Sequence, residues 1–357
     1  MTILRSTWRL WLYILASLGV FLLVALPVLR GEMHLEFYAD TEVYEALART
    51  MPLNLDIISV GANLFGPLLL LKTFGGDRFL VYLFNVACLT AAVAVVVRTF
   101  PVNRLQFLFY LMLTPLMFTS LLSINKEIVA VAAIAFFAAY YRSGRRWHLV
   151  VGLLASCLVR WQMALFMLTF MAMASPLNPF RRRRLVSVLL LTVAISVVYV
   201  RNLTYFEQLN QLALLGAQEY VEGSGLYGYF IAVQNRYGYF LVFLPKTLHQ
   251  MLGLLTRADK VTEVEHFFNN DVMFFHSVAT LVLLLVVAWR RRIRLDLDPV
   301  YIAVVYAAIF ALSPIFSPRY FLPIYVLLAI AVALREDPDT VVESRTAVMR
   351  TPAAVPG

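Results

Sequence analysis

Charge is what this sequence has least of. Asp, Glu, Lys and Arg make up 14% of its 357 residues, where a soluble globular domain carries about 25%. With 61% hydrophobic residues and a mean hydropathy of +0.78, an ordinary water-soluble fold is excluded. Cysteine is nearly absent. Cys88 and Cys157 both lie inside apolar stretches and read as small hydrophobes, not as a disulfide or a metal pair. There is no nucleotide-binding motif, zinc motif or Cys/His cluster, so neither a cofactor nor a structural metal is expected. A repeat of fixed period is also missing, and with it the inverted halves typical of many transporters.

What remains is a chain of apolar stretches long enough to cross a hydrocarbon core of about 30 Å. The expected fold is an all-α polytopic membrane protein with nine to eleven transmembrane or re-entrant helices, forming one domain over residues 1–335. Residues 336–357 are expected to be a disordered cytoplasmic tail, and residues 30–56 and 201–271 outer loops. The net charge of +9 does not point to nucleic acid. The basic residues gather in short runs beside apolar segments: Arg142, Arg145 and Arg146; Arg181 to Arg184; Arg290, Arg291, Arg292 and Arg294. Such runs mark cytoplasmic loops and contact anionic lipid.

Keeping every basic run on one side constrains the path. Arg5 and Arg9 put the N-terminus inside, and the first helix, 10–29, leads to an acidic outer stretch containing Asp40. Residues 57–72 carry Gly61, Gly66 and Pro67 and read as bent or re-entrant. Crossing helices are expected at 79–97, 105–123 and 126–141. Residues 147–175 have basic runs at both ends and Arg160 near the middle. A hairpin with Arg160 at its tip keeps both runs inside, and spares the arginine the cost of about 2.5–3.5 kcal/mol at a lipid-exposed helix centre. Further helices are expected at 185–200, 272–289, 299–316 and 320–335. The sequence LPKTLHQMLGLLTR, in the long polar region before them, is amphipathic enough to lie on the outer surface or dip in.

This topology collects polar residues from distant parts of the chain on the outer face. Candidate catalytic carboxylates are Asp40 and Glu127, either able to take a proton from a hydroxyl. Candidate substrate-binding groups are Asn125, Lys126, Arg160, Gln162, Arg236, Arg319 and Tyr320. Lys246 and His249 share the same outer region. Arginine suits bidentate contact with phosphate oxygens, and lysine supplies a point charge. The set fits a lipid-linked phosphate or pyrophosphate donor and a sugar hydroxyl acceptor. Each member also has a plainer reading, as a helix cap, a hairpin lock or a kinked turn.

The stretch from Ser120 to Phe170 resembles the middle of bacterial polysaccharide repeat-unit polymerases of the Wzy-type and EpsG-like kind. A polar group opens an apolar helix, a basic turn follows, and a second apolar run is broken by a polar residue. Here the opening is Asn125-Lys126-Glu127, where those proteins often have Arg-Gln, and the break is Arg160-Trp161-Gln162, where many have histidine. Asp40 in YADTEVY, with Arg319-Tyr320 and Pro323 in SPRYFLP, is similar to the wider GT-C membrane glycosyltransferases. The resemblance implies an inner-membrane enzyme working at the periplasmic face on polyprenyl-linked saccharide, with the bilayer and other polysaccharide assembly proteins as partners. Arg160, Arg319 and Lys126 would hold the pyrophosphate, and Asp40 or Glu127 would activate the acceptor. A GT-C transferase of a single sugar, a lipid-linked oligosaccharide flippase or other transporter, and a non-catalytic assembly subunit remain open.

Overall fold

The computed structural model describes residues 41–51, 62–124, 126–204, 206, 225–253, 255, 261, 271–313 and 316–335, with scattered positions between 11 and 30. The expected first helix and cytoplasmic tail, with Asp40 and Asn125, lie outside the described residues or largely so. Among the described residues the chain is all-helical, with one isolated bridge between Val102 and Leu334. The helices are α1 Thr41–Thr50, α2 Phe65–Thr73, α3 Arg78–Thr99, α4 Arg104–Met112, α5 Pro115–Leu122, α6 Glu127–Ser143 and α7 Arg146–Val159. They continue with α8 Trp161–Ala174, α9 Arg184–Arg201, α10 Gly225–Tyr237, α11 Tyr239–Leu252, α12 Met273–Trp289, α13 Asp298–Phe310 and α14 Leu322–Ala333. A 3-10 turn, Pro318–Phe321, leads into α14.

Two of these helices are long and apolar enough to cross a membrane: α3, 22 residues of mean hydropathy 2.4, and α9, 18 residues of 1.9. The pair α4 and α5 would make a third if counted as one bent span. That pair is where the expected single helix 105–123 fails. It bends by 72° at Leu113-Thr114 because Pro115 begins a new helix, and a proline disfavours helical geometry in the residue before it. Thr114 leaves the helix in an extended conformation, and its hydroxyl meets His276 Nδ1 of α12 at 2.7 Å, so the bend is pinned from outside.

Helix α6 is the axis of the bundle. Thirteen consecutive residues from Glu127 to Ala139 are buried, six of them alanine, and the alanines let adjacent helices come close. Helix α7 returns beside it, turned by Gly144 at φ 69°, a left-handed conformation that glycine adopts without strain. Gly152 of α7 lies so near α6 that a Cβ would stand 3.3 Å from the Ala133 carbonyl oxygen. Helix α8 then runs back again. Its Phe166 and Phe170 pack on Phe137, and Phe170 reaches Tyr141 near the C-terminal end of α6. Arg160, the single residue between α7 and α8, is extended (φ −162°, ψ 143°) and forms the tip of an antiparallel hairpin.

The basic runs gather at one end. Arg184 donates to the carbonyls of Leu295 and Asp296 and pairs with Asp298 at 2.8 Å. Arg292 donates to the carbonyls of Ala331, Val332 and Leu334. Arg335 N donates to Pro101 O, which joins the end of α14 to the start of α4. The hairpin tip at Arg160 points away from this basic end. Near that opposite end, Gly66 of α2 fits against the backbone of Leu158. At nine residues, α2 is about 14 Å long and does not cross the bundle.

Residues 225–252 differ from the expected outer loop. Helices α10 and α11 form a second hairpin that dips into the bundle from the end opposite the basic runs, with Gly238 (φ 102°) at its tip. The tip reaches Ser196 of α9, whose hydroxyl accepts the Phe240 amide at 2.7 Å. Tyr239 donates to Ala308 O of α13 at 2.8 Å. Inside the hairpin Lys246 donates to Gln234 Oε1 (2.8 Å), and Gln250 joins Tyr227 to the Ser317 amide. Gln234, Lys246 and Gln250, which fall in the expected outer loop, are buried because each has a hydrogen-bond partner: Lys246 with Gln234, and Gln250 with Tyr227 and the Ser317 amide.

The contact between Gly66 and Leu158 gives a direct test. A Cβ at residue 66 would lie 1.8 Å from the Leu158 carbonyl oxygen, a backbone atom with no freedom to rotate away. Gly66→Ala is expected to destabilise the fold by about 1–3 kcal/mol, whereas Gly228→Ala, with nothing within 4 Å, is neutral or mildly stabilising. Thermal unfolding of both variants in the same detergent checks this; equal melting temperatures would refute the close packing of α2 on the hairpin.

Candidate functional site

At the end opposite the basic runs, five of the expected residues meet around one cleft. Lys126 and Glu127 come from the start of α6, Arg160 from the hairpin tip, and Arg319 and Tyr320 from the 3-10 turn before α14. Each is delivered by a local feature. Lys126 and Glu127 stand where α6 begins, so that Glu127 lies in the positive first turn of the helix dipole. Arg160 sits in the one extended residue between two helices. Pro318 and Pro323 bracket the turn that presents Arg319 and Tyr320. Val159, Tyr306, Phe310 and Pro323 supply the apolar wall.

The groups are close and largely withdrawn from solvent. Arg319 Nε lies 3.8 Å from Glu127 Oε1, with 12% and 6% of the two side chains exposed. At that separation the contact is an ion pair without a well-formed hydrogen bond. Glu127 Oε2 is buried with no hydrogen-bond partner. The Arg160 guanidinium is 3.5 Å from the centre of the Tyr320 ring, and that of Arg319 is 5.6 Å from it. Tyr306 donates to Tyr320 O at 2.9 Å and holds the turn in place. Lys126 Nζ donates to the carbonyl oxygen of Asn63 and faces the ring of Tyr44 in α1 at 5.6 Å. The space left open to a water-sized sphere is ≈ 10 Å³, room for about one water. A larger ligand would enter by displacing side chains, and the long Glu127–Arg319 contact is the one easiest to exchange.

Other expected members are elsewhere. Gln162 begins α8 next to the tip, half-buried, with its Oε1 buried and unpaired, but it does not line the cleft. Arg236 is exposed on α10, its guanidinium 5.2 Å from the Tyr237 ring, and it does not join the cleft because the α10–α11 hairpin carries it down toward Gly238. Lys246 is fully buried in the second hairpin. Asp40 and Asn125 lie outside the described residues, although α1 begins at Thr41 and its Tyr44 faces Lys126. Glu45 is occupied elsewhere, in a bidentate pair with Arg78 at 2.6 and 2.9 Å. Tyr306 carries no sequence signal, being an aromatic within an apolar helix, and Tyr44 carries only a weak one, its helical spacing from Asp40 in YADTEVYEALA.

The arrangement can bind an anion between two guanidiniums and an ammonium, with a carboxylate at its edge. No family model matches the chain, and no curated protein or solved structure matches it. The stacking of Arg160 on Tyr320 is testable by itself. A planar cation on an aromatic face, partly desolvated, contributes about 1–2 kcal/mol, and lysine does not reproduce its geometry. A double-mutant cycle of Arg160→Met and Tyr320→Leu, read by unfolding in detergent, is expected to give a coupling of about 1 kcal/mol. Tyr320→Phe should retain it. Strict additivity of the two single changes would remove the stack as an organising contact.

Proposed function

We propose that this chain is a multi-pass protein of the bacterial inner membrane that polymerises or transfers glycans from polyprenyl-(pyro)phosphate-linked saccharides at the periplasmic face. The observation that carries this reading is the convergence of Lys126, Arg160 and Arg319 with a buried carboxylate, Glu127, whose second oxygen is unpaired, at the end opposite the basic runs. Ionisable groups inside an apolar bundle are costly and mark a working site. The wide apolar exposure of α9, at Leu185, Leu189, Val193 and Val197, supports a lipid-facing surface. The positive-inside tendency favours the basic end on the cytoplasmic side and the cleft on the periplasmic side.

In this reading the donor's pyrophosphate enters between Arg160, Arg319 and Lys126. Arg319 turns from Glu127 to a phosphate oxygen, a closer and charge-assisted contact. The freed carboxylate accepts the proton of the acceptor hydroxyl as its oxygen bonds to the anomeric carbon of the donor sugar. The bond from that carbon to the pyrophosphate oxygen breaks, and the polyprenyl pyrophosphate departs with the electron pair. The Arg160 and Arg319 guanidiniums stabilise the charge that develops on it. Asp40 is the alternative base, and other polysaccharide assembly proteins would supply the acceptor.

The test is the length distribution of surface polysaccharide in a deletion strain complemented with wild type, Arg160→Ala, Lys126→Ala or Glu127→Gln. Single repeat units in the deletion and in each variant, with long chains restored by wild type, are expected. Full-length chains throughout would sink the polymerase reading. A repeat unit missing one sugar would instead assign a single-sugar transferase. Arg160→Lys should be as defective as Arg160→Ala at equal protein level, because a point charge does not replace the guanidinium fork.

A further inference from the structure

A second site lies at the basic end and is independent of the chemistry at the opposite end. Between the C-terminal turn of α8 and the start of α9 there is a cleft of ≈ 720 Å³, lined by Arg181 to Arg184, Tyr141 and Tyr301 among others. The four arginines are not equivalent. Arg184 is held by Asp298, the carbonyls of Leu295 and Asp296, and the hydroxyl of Tyr141. Arg181, Arg182 and Arg183 are exposed, and among the described residues none of them meets a carboxylate. Their loop is nevertheless fixed. Asn178 donates to Met173 O and accepts from the Phe180 amide, while Ser187 Oγ donates to Phe180 O. Three guanidiniums are thus presented from a preorganised turn, which lowers the cost of ordering them around a ligand. Tyr301 adds a buried hydroxyl beside Ser187 to the wall of the cleft.

The surroundings decide what kind of anion fits. Leu177, Phe180, Leu185 and Leu189 flank the arginines and are exposed, and the last two continue along α9, one of the two helices able to cross a membrane. A small inorganic anion would engage the arginines alone and make no contact with this apolar strip. A ligand with a phosphate and an acyl chain covers both surfaces, with arginine forks on the phosphate oxygens and its chain along α9. We propose that this cleft seats the phosphate headgroup of an anionic membrane phospholipid on the cytoplasmic side.

The test uses the full-length protein in non-ionic detergent, with phosphatidylglycerol and phosphatidylcholine as probes and bound lipid counted by native mass spectrometry. Wild type is expected to retain phosphatidylglycerol in preference to phosphatidylcholine. Arg181→Gln/Arg182→Gln/Arg183→Gln should bind it roughly a hundredfold more weakly, at about a fivefold factor per basic residue near an anionic headgroup. The triple Arg→Lys variant, which keeps the charge that sets insertion and loses only the fork, should fall between. Equal retention of the two lipids, or wild-type affinity in both triple variants, would overturn the proposal. Displacement of the lipid by equimolar inorganic phosphate would also overturn it, making the cleft a simple anion site. Binding that appears only after removal of residues 336–357 would overturn it too, by assigning the cleft to that segment.

Discussion

A carboxylate buried at the start of an apolar helix has to be met by positive charge, and much of this bundle is arranged to meet Glu127. Leaving such a group unpaired costs several kcal/mol. Its partners come from sequence-distant segments: Arg319 from the turn before α14, with Arg160 beside it at the tip of the α7–α8 hairpin. For all three to meet, α7 and α8 must double back beside α6, and α14 must begin level with the first turn of α6. The close packing of α6, α7 and α8 through alanines, Gly152 and the Phe137–Phe166–Phe170 cluster places them there. Site and core therefore share one constraint.

The same logic separates the two hairpins. The α7–α8 hairpin carries its cation at the tip, where it meets other charged groups. The α10–α11 hairpin carries Lys246 along its length and surrounds it with neutral acceptors, Gln234 and Leu312 O. Gln250 and Tyr227 then bond to the Ser317 amide and Ser313 O, on the strand of chain that leads to Arg319. The second hairpin thus braces the turn that completes the site.

How far the sequence exposes this depends on which residues carry the information. The break at Arg160 is legible because an arginine in mid-span and basic runs at both ends leave few alternatives. The meeting of Lys126, Glu127, Arg319 and Tyr320 follows once the ends of the helices are sorted by charge. The bend before Pro115 is written in Thr114-Pro115 but masked by the apolar run around it. The α10–α11 hairpin is hidden for the opposite reason: Gln234, Lys246 and Gln250 look like surface residues, and only the Lys246–Gln234 bond and the bonds of Gln250 to Tyr227 and the Ser317 amide offset the cost of their burial. Arg236 reads like any other outer arginine, yet the hairpin's inward course takes it away from the cleft.

The shortness of the α7–α8 arms has a consequence for depth. Each arm has 14 residues, about 21 Å of helix, while an ordinary hydrocarbon core is about 30 Å thick. In the setting proposed above, a hairpin with its feet at one headgroup layer would stop about 9 Å short of the other. The floor of the cleft would then lie below the level at which lipid phosphates normally ride. A lipid-linked phosphate, if that is the ligand, would sink its tail by the same distance to reach Arg160, so that the bilayer would thin locally, or the chain tilt, wherever the site is filled.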